Sequence, residues 1–130
     1  MEALYVRKAE GTVDEVGARL EAAVKARKFG VIVMIDLQAK MREKGVEFAN
    51  ECRAYEVCNP QRAKQVLEKD MNISTALPCR ITVYKDGGQV KVATLLPTRL
   101  LGLLTAADLG TVAQEVECDI IAMVDESAAG

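Results

Sequence analysis

Two short segments, residues 57–60 and 77–79, carry the residue types best suited to chemistry. Asn59 followed by proline is a good helix opening, so Cys58 is expected just before the first turn of a helix. Unpaired amides and the positive end of the helix dipole favour a thiolate there. Cys79 is expected at the start of a strand, where loops often present side chains to a ligand. The segments therefore predict a binding or redox site that includes Cys58, Asn59 and Cys79.

The competing interpretation is that Cys58 and Cys79 are small buried hydrophobic residues, as free cysteines often are. The spacing gives no thiol-redox motif, because the closest pair, Cys52 and Cys58, is six residues apart rather than three. Successive spacings of 6, 21 and 39 residues also lack the close pairs of a four-cysteine zinc site. We therefore predict no bound metal and no cofactor, although two or three thiolates would suit a soft metal.

Asp36 interrupts the apolar run from Val31 to Leu37 and is a further candidate site residue. A carboxylate there must be paired, protonated or placed at a strand end facing a cleft. One interpretation is a general acid with a raised pKa. The other is that Asp36 closes the strand and caps a turn of helix over residues 38–44.

Composition excludes several classes of function. The chain has 130 residues, no His and no Trp, which rules out mechanisms built on an imidazole base or ligand. Its glycines form neither a GxGxxG nor a GxxxxGK phosphate loop. Seventeen basic and nineteen acidic residues give a net charge of −2, and with few aromatic residues we expect no nucleic-acid partner.

The length favours one domain over residues 1–130. No apolar stretch approaches the ~18 residues of a membrane span, and the first residues lack a secretory pattern, so we expect no membrane association and a cytoplasmic location. Few Asn and many Lys, Arg and Glu favour a thermophilic source.

Hydrophobic periodicity predicts the elements that must hold this site. A first strand at Leu4 to Lys8 precedes a helix that opens with a capping box at Thr12 and runs to about Lys28, with Gly30 as its C-cap. The apolar run Val31 to Leu37 predicts a central strand.

The second half of the chain is predicted to hold the remaining elements. A strand is predicted over residues 51–57 and a helix over 60–70. Strands over 81–85 and 89–95 form a predicted hairpin around Asp86-Gly87-Gly88. The last helix is predicted to open with a second capping box at 105–108 and to end near Asp125, followed by a frayed tail. The order indicates an α+β fold, a mostly antiparallel sheet with helices packed on one face.

The leucine-rich segment between Leu95 and Leu104 has two interpretations. It is either the floor under the last helix or an apolar surface for a second subunit. We predict a homodimer on the second interpretation.

The pattern Val57-Cys58-Asn59-Pro60, with Ala63 and Leu67, then Leu77-Pro78-Cys79 and Val83-Tyr84, resembles domain-of-unknown-function family 302. The resemblance spans most of the chain. It implies a β-α-β(4)-α core similar to the TATA-binding-protein type, with the helix after Pro60 as an extra short helix, and no established activity. This sequence departs from the family at Leu96-Pro97, where the family tends to carry Asp-Pro.

Three functions follow as hypotheses. The first is a non-catalytic module that binds a small ligand or a soft metal near Cys58, Asn59, Cys79 and Asp36. The second is a thiol enzyme or redox sensor in which Cys58 attacks and Cys79 resolves. The third is a structural or assembly role. We expect the sulfurs of Cys58 and Cys79 to lie within about 8 Å of each other, with at least one of them partly exposed, because a short helix and its return loop can bring the two residues together.

Overall fold

Five strands form one antiparallel sheet in this structure, a computed structural model that describes residues 2–130. The sheet order is β1-β5-β4-β3-β2, so β4 lies in the middle. The strands are β1 (Leu4–Lys8), β2 (Gly30–Asp36), β3 (Cys52–Cys58), β4 (Cys79–Asp86) and β5 (Gln89–Leu95). The predicted α+β class with an antiparallel sheet is confirmed.

Helices fill the remaining connections. They are α1 (Val13–Ala26), α2 (Leu37–Glu43), α3 (Pro60–Lys69), a 3-10 helix (Met71–Ala76), α4 (Pro97–Leu104) and α5 (Val112–Ala129). The implied β-α-β(4)-α core is present, but α2, the 3-10 helix and α4 join α3 as additions to it.

The main core lies between α1, α5 and one face of the sheet. Helix α1 begins as predicted at a capping box, in which Thr12 Oγ1 accepts from the Glu15 amide at 3.1 Å and Glu15 Oε1 accepts from the Thr12 amide at 2.9 Å. Both long helices pack apolar residues onto that face. Its buried members include Val16, Leu20, Val24, Tyr55, Val57, Ile81, Val83, Val92, Ile120 and Met123.

The predicted hairpin of β4 and β5 is confirmed. Asp86 pairs with Gln89 across the turn. Gly87 and Gly88 have φ of 58° and 85°, the left-handed region that glycine adopts without strain.

Strand β2 is an edge strand, so the prediction of a central position was wrong. It pairs with β3 alone, and its register shifts between Val31 and Val33. Ile32 is 62% exposed. A continuous apolar run fits a strand in any position, and pairing partners distant in sequence decide which one it takes.

The end of α1 also differs from the prediction. The C-cap is Arg27, and Lys28 rather than Gly30 takes the left-handed conformation, with φ of 62°. Gly30 begins β2 instead.

The last helix starts later and ends later than the sequence predicts. Thr105 Oγ1 accepts from the Ala107 amide and Asp108 Oδ1 from the Gly110 amide, so both make short turns instead of a capping box. Helix α5 continues to Ala129, and Ser127 is fully buried. The predicted frayed tail is therefore wrong, because residues distant in sequence hold it: the Ser127 carbonyl accepts from Arg19 Nε at 2.9 Å.

The leucine-rich segment forms α4 and contributes to a second, smaller core. Leu101 is buried there with Val66 of α3, Ile73 of the 3-10 helix and Ala113 of α5. Leu103, in contrast, is 82% exposed. The floor under the last helix is thus confirmed for Leu101, and the homodimer stays a prediction.

Candidate functional site

A cavity of about 200 Å³ lies between the two cores, at the end of the sheet where β3 and β5 end and β4 begins. Phe29, Val57 and Cys79 of the main core and Val66, Leu101 and Ala113 of the second core all line it. The rest of the wall combines apolar residues with a few polar ones. It consists of Leu4, Cys58, Asn59, Arg62, Ala63, Ala76, Leu77, Pro78, Arg80, Thr82, Ala93, Thr94, Leu95, Pro97, Leu100 and Val116.

Asn59 fixes the start of α3 on this wall, as the sequence predicts. Its Oδ1 accepts from the amides of Gln61 at 3.1 Å and Arg62 at 3.3 Å. Pro60 has no amide to satisfy. The first free donors of the helix are thus already used by the Asn59 side chain.

Cys58 and Cys79 both line the cavity, and both are free and half-buried thiols. Burial raises the pKa of Cys58, and it raises the pKa of Cys79 to about 11, with smaller contributions from Cys58 and Glu56. The thiols are therefore protonated at neutral pH. This contradicts the expected thiolate at Cys58, because burial disfavours the charged form and Asn59 already occupies the amides that would have stabilised it.

Strand register places these two cysteines one step apart across neighbouring strands. Cys79 lies opposite Val57, and Cys58 is the next residue along β3. Side chains at successive strand positions leave opposite faces of the sheet, so a direct disulfide would require the backbone to move. The expected separation of the sulfurs within about 8 Å stays a prediction.

Two arginines on the cavity wall were missed at the sequence level. Arg80 pairs with Glu56, a buried carboxylate, with Nε at 2.7 Å and Nη2 at 2.5 Å from the same oxygen. Arg62 lies on α3, and its Nη1 is buried without a hydrogen-bond partner. The available signals were local: Arg80 follows Cys79 directly, and Arg62 is three residues after Asn59.

Asp36 lies away from the cavity. Gly30 of β2 pairs with Cys58 and Asp36 pairs with Arg53, which places Asp36 about 20 Å along the strand from Cys58. There its Oδ1 accepts from the Ala39 amide at 2.9 Å and caps α2. The structure thus brings Cys58, Asn59 and Cys79 to one cavity and leaves Asp36 at the opposite end of the sheet, in the capping position.

Residues 2–130 hold no group of three or more Cys, Asp or Glu side chains placed to bind a metal ion. No helix in this range has the length and apolar character needed to cross a membrane.

The raised thiol pKa values predict an order of alkylation. At pH 7.5 we expect iodoacetamide to label exposed Cys118 first, and Cys79 about a hundredfold more slowly than an unperturbed thiol, since a pKa of about 11 leaves that much less thiolate. Peptide mass mapping over time measures each rate, with the urea-unfolded chain as control. Labelling of Cys58 ahead of Cys118 would support the thiol enzyme instead.

Sheet order, helix placement and the cavity at one sheet end define an α+β protein with an antiparallel five-stranded sheet. The sequence model of the family described as Domain of unknown function DUF302 matches residues 5–127, and the chain belongs to this family. It is similar to an uncharacterized conserved DUF302 protein from Bacillus stearothermophilus, whose crystal structure is 31% identical in sequence and superimposes with a TM-score of 0.90. The match covers 98% of this chain and 99% of that one. No curated protein matches the chain.

Proposed function

We propose that this protein is a non-catalytic binding module that holds a small, largely apolar ligand in the cavity between its two cores. The observation that carries the proposal is the cavity itself, about 200 Å³ in volume and walled mainly by aliphatic side chains. Close-packed interiors contain few voids larger than a water molecule, so space of this size at the junction of two cores suits a ligand.

Cavity size limits the ligand. An engineered apolar cavity of about 150 Å³ in another protein holds benzene. By that comparison, this cavity accommodates an apolar group of about six to eight carbon atoms. The polar residues on the wall are few, and they serve to orient such a group.

A non-catalytic role is favoured over the thiol enzyme because the two cavity thiols are protonated near neutral pH. The chain contains no histidine to act as their base. The observation in favour of the thiol enzyme is that Cys58 and Cys79 share one cavity. The alkylation order described above distinguishes the two functions.

Filling the cavity tests the binding proposal. Ala63 lies on α3 in the cavity wall, and Ala63→Leu would occupy space that a ligand needs. We expect the Kd for 1-octanol to rise about tenfold or more, because each buried methylene contributes about 0.8 kcal/mol. Isothermal titration calorimetry measures the Kd.

The matched control is Ala22→Leu, the same change at an exposed position of α1 outside the cavity. This variant should bind 1-octanol as the unmodified protein does. An unmodified protein that does not bind 1-octanol, or equal affinities in both variants, would contradict the proposal.

A further inference from the structure

Arg62 is the polar residue of the cavity wall whose bonding is incomplete. Its Nη1 is buried and has no hydrogen-bond partner. An unpaired donor of a charged group buried from water costs free energy that a bound acceptor would recover. Arg62 itself lines the space proposed for the ligand.

The neighbours of Arg62 do not satisfy this donor. Glu115 Oε1 on α5 is 3.9 Å from Nη1, beyond hydrogen-bond distance, and the Glu115 side chain is half exposed. The second arginine of the wall, Arg80, is already paired with Glu56 through two nitrogens. The amides at the start of α3 donate to Asn59 and are not available to an anion.

We infer that the ligand is a small carboxylic acid, with its apolar tail of about six to eight carbons in the cavity and its carboxylate accepting from the guanidinium of Arg62. This inference rests on the proposed function and specifies its ligand. A planar guanidinium fits a planar carboxylate well. The carboxylate of Glu115 nearby disfavours a doubly charged head group such as a phosphate monoester.

A matched pair of probes tests the charge preference separately from cavity binding. Octanoate and 1-octanol have the same chain length and differ in the head group. At pH 7.5 we expect the Kd of octanoate to be about tenfold lower than that of 1-octanol, because hydrogen bonds to charged groups are the stronger ones. Isothermal titration calorimetry on the full chain gives both values.

Two variants assign the preference to Arg62. Arg62→Met keeps a long apolar side chain without the charge, and it should abolish the preference, so that octanoate and 1-octanol bind with a similar Kd in this variant. Glu115→Gln removes the competing carboxylate and should tighten octanoate binding about two- to fivefold, a gain that impaired folding cannot mimic. Glu68→Gln is its control, since Glu68 is exposed on α3 and is not part of the cavity wall.

The outcomes distinguish failure of the carboxylic-acid assignment from failure of the proposed binding module. Equal binding of octanoate and 1-octanol, or an octanoate preference that survives Arg62→Met, would overturn the assignment of a carboxylic acid and leave the binding module intact. Binding of neither probe would overturn both. Failure of Glu115→Gln to tighten octanoate more than Glu68→Gln does would also count against the assignment.

Discussion

Gly17→Ala is expected to lower the free energy of unfolding by about 3 kcal/mol. Gly17 is buried in the middle of α1, and a Cβ there would overlap the hydroxyl oxygen of Tyr55 and lie 3.3 Å from its ring carbon Cζ. Tyr55 is almost fully buried in the central part of β3, so neither side can withdraw without disturbing the main core. Urea denaturation followed by circular dichroism measures the change.

The contact with Tyr55 can be isolated by a double-mutant cycle. Tyr55→Phe removes the overlapping hydroxyl, so Gly17→Ala should cost much less in that background than in the unmodified protein. Gly102→Ala is the matched control, because Gly102 is an exposed helical glycine with nothing within 4 Å of the added Cβ. The Gly102→Ala variant should be more stable than the unmodified protein by up to about 1 kcal/mol, because alanine has the higher helix propensity. A Gly17→Ala protein as stable as Gly102→Ala would refute the steric explanation.

The elements that were predictable from the sequence are those specified by neighbouring residues. The capping box at Thr12, the turn at Gly87 and Gly88, and the helix opening at Asn59 each depend on contacts within a few residues, and all three are present. Short-range hydrogen bonding and positive φ act wherever the rest of the chain goes. These signals therefore placed elements correctly, and the predicted order of the elements indicated the α+β fold class.

The elements that were mispredicted depend on contacts between residues far apart in sequence. The apolar run of β2 looked central, yet it lies at the sheet edge because it pairs with β3 alone. The small and polar residues at the end of α5 looked frayed, yet the backbone amide of Glu10 donates to the Ala128 carbonyl at 3.1 Å and holds them. Pairing partners of this kind have no local signature.

In the candidate site, too, the parts specified by neighbouring residues were predictable, and the parts that depend on residues distant in sequence were not. Cys58 and Asn59 belong to one local helix opening, and strand pairing brings Cys79 to them. Asp36 was included because an acidic residue in an apolar run is conspicuous, but its register position lies at the other end of the sheet. Arg62 was not singled out from the sequence, and its buried Nη1 lies 3.9 Å from Glu115 on α5, a residue distant in sequence.

The free energy of unfolding is expected to fall between pH 9 and 11 because of Cys79. In the unfolded chain the Cys79 thiol has its ordinary pKa of 9.0, and burial raises the pKa of this thiol in the folded chain to about 11. Below pH 9 the thiol is protonated in both states. As the pH rises further, the unfolded chain loses the proton first, so the unfolded state is favoured and stability falls until the folded thiol also ionises.

A comparison with Cys79→Ala gives the size of this effect. The difference between a pKa of about 11 and one of 9.0 corresponds to at most about 3 kcal/mol. Lys and Tyr residues also titrate in this range and contribute to both proteins, so the informative quantity is the difference in stability between the unmodified protein and Cys79→Ala. That difference should be largest at pH 7 and shrink by up to about 3 kcal/mol by pH 11.

Cys118→Ala is the control for this comparison, since it removes an exposed thiol of α5 that is not part of the cavity wall. Its stability should run parallel to that of the unmodified protein across the whole range. Urea denaturation at half-unit steps of pH, under reducing conditions, measures all three proteins. If the curve of Cys79→Ala also ran parallel, the Cys79 thiol would ionise as easily in the folded chain as in the unfolded one. The cavity wall around it would then be open to water, which would contradict the burial that suits this part of the cavity to an apolar ligand.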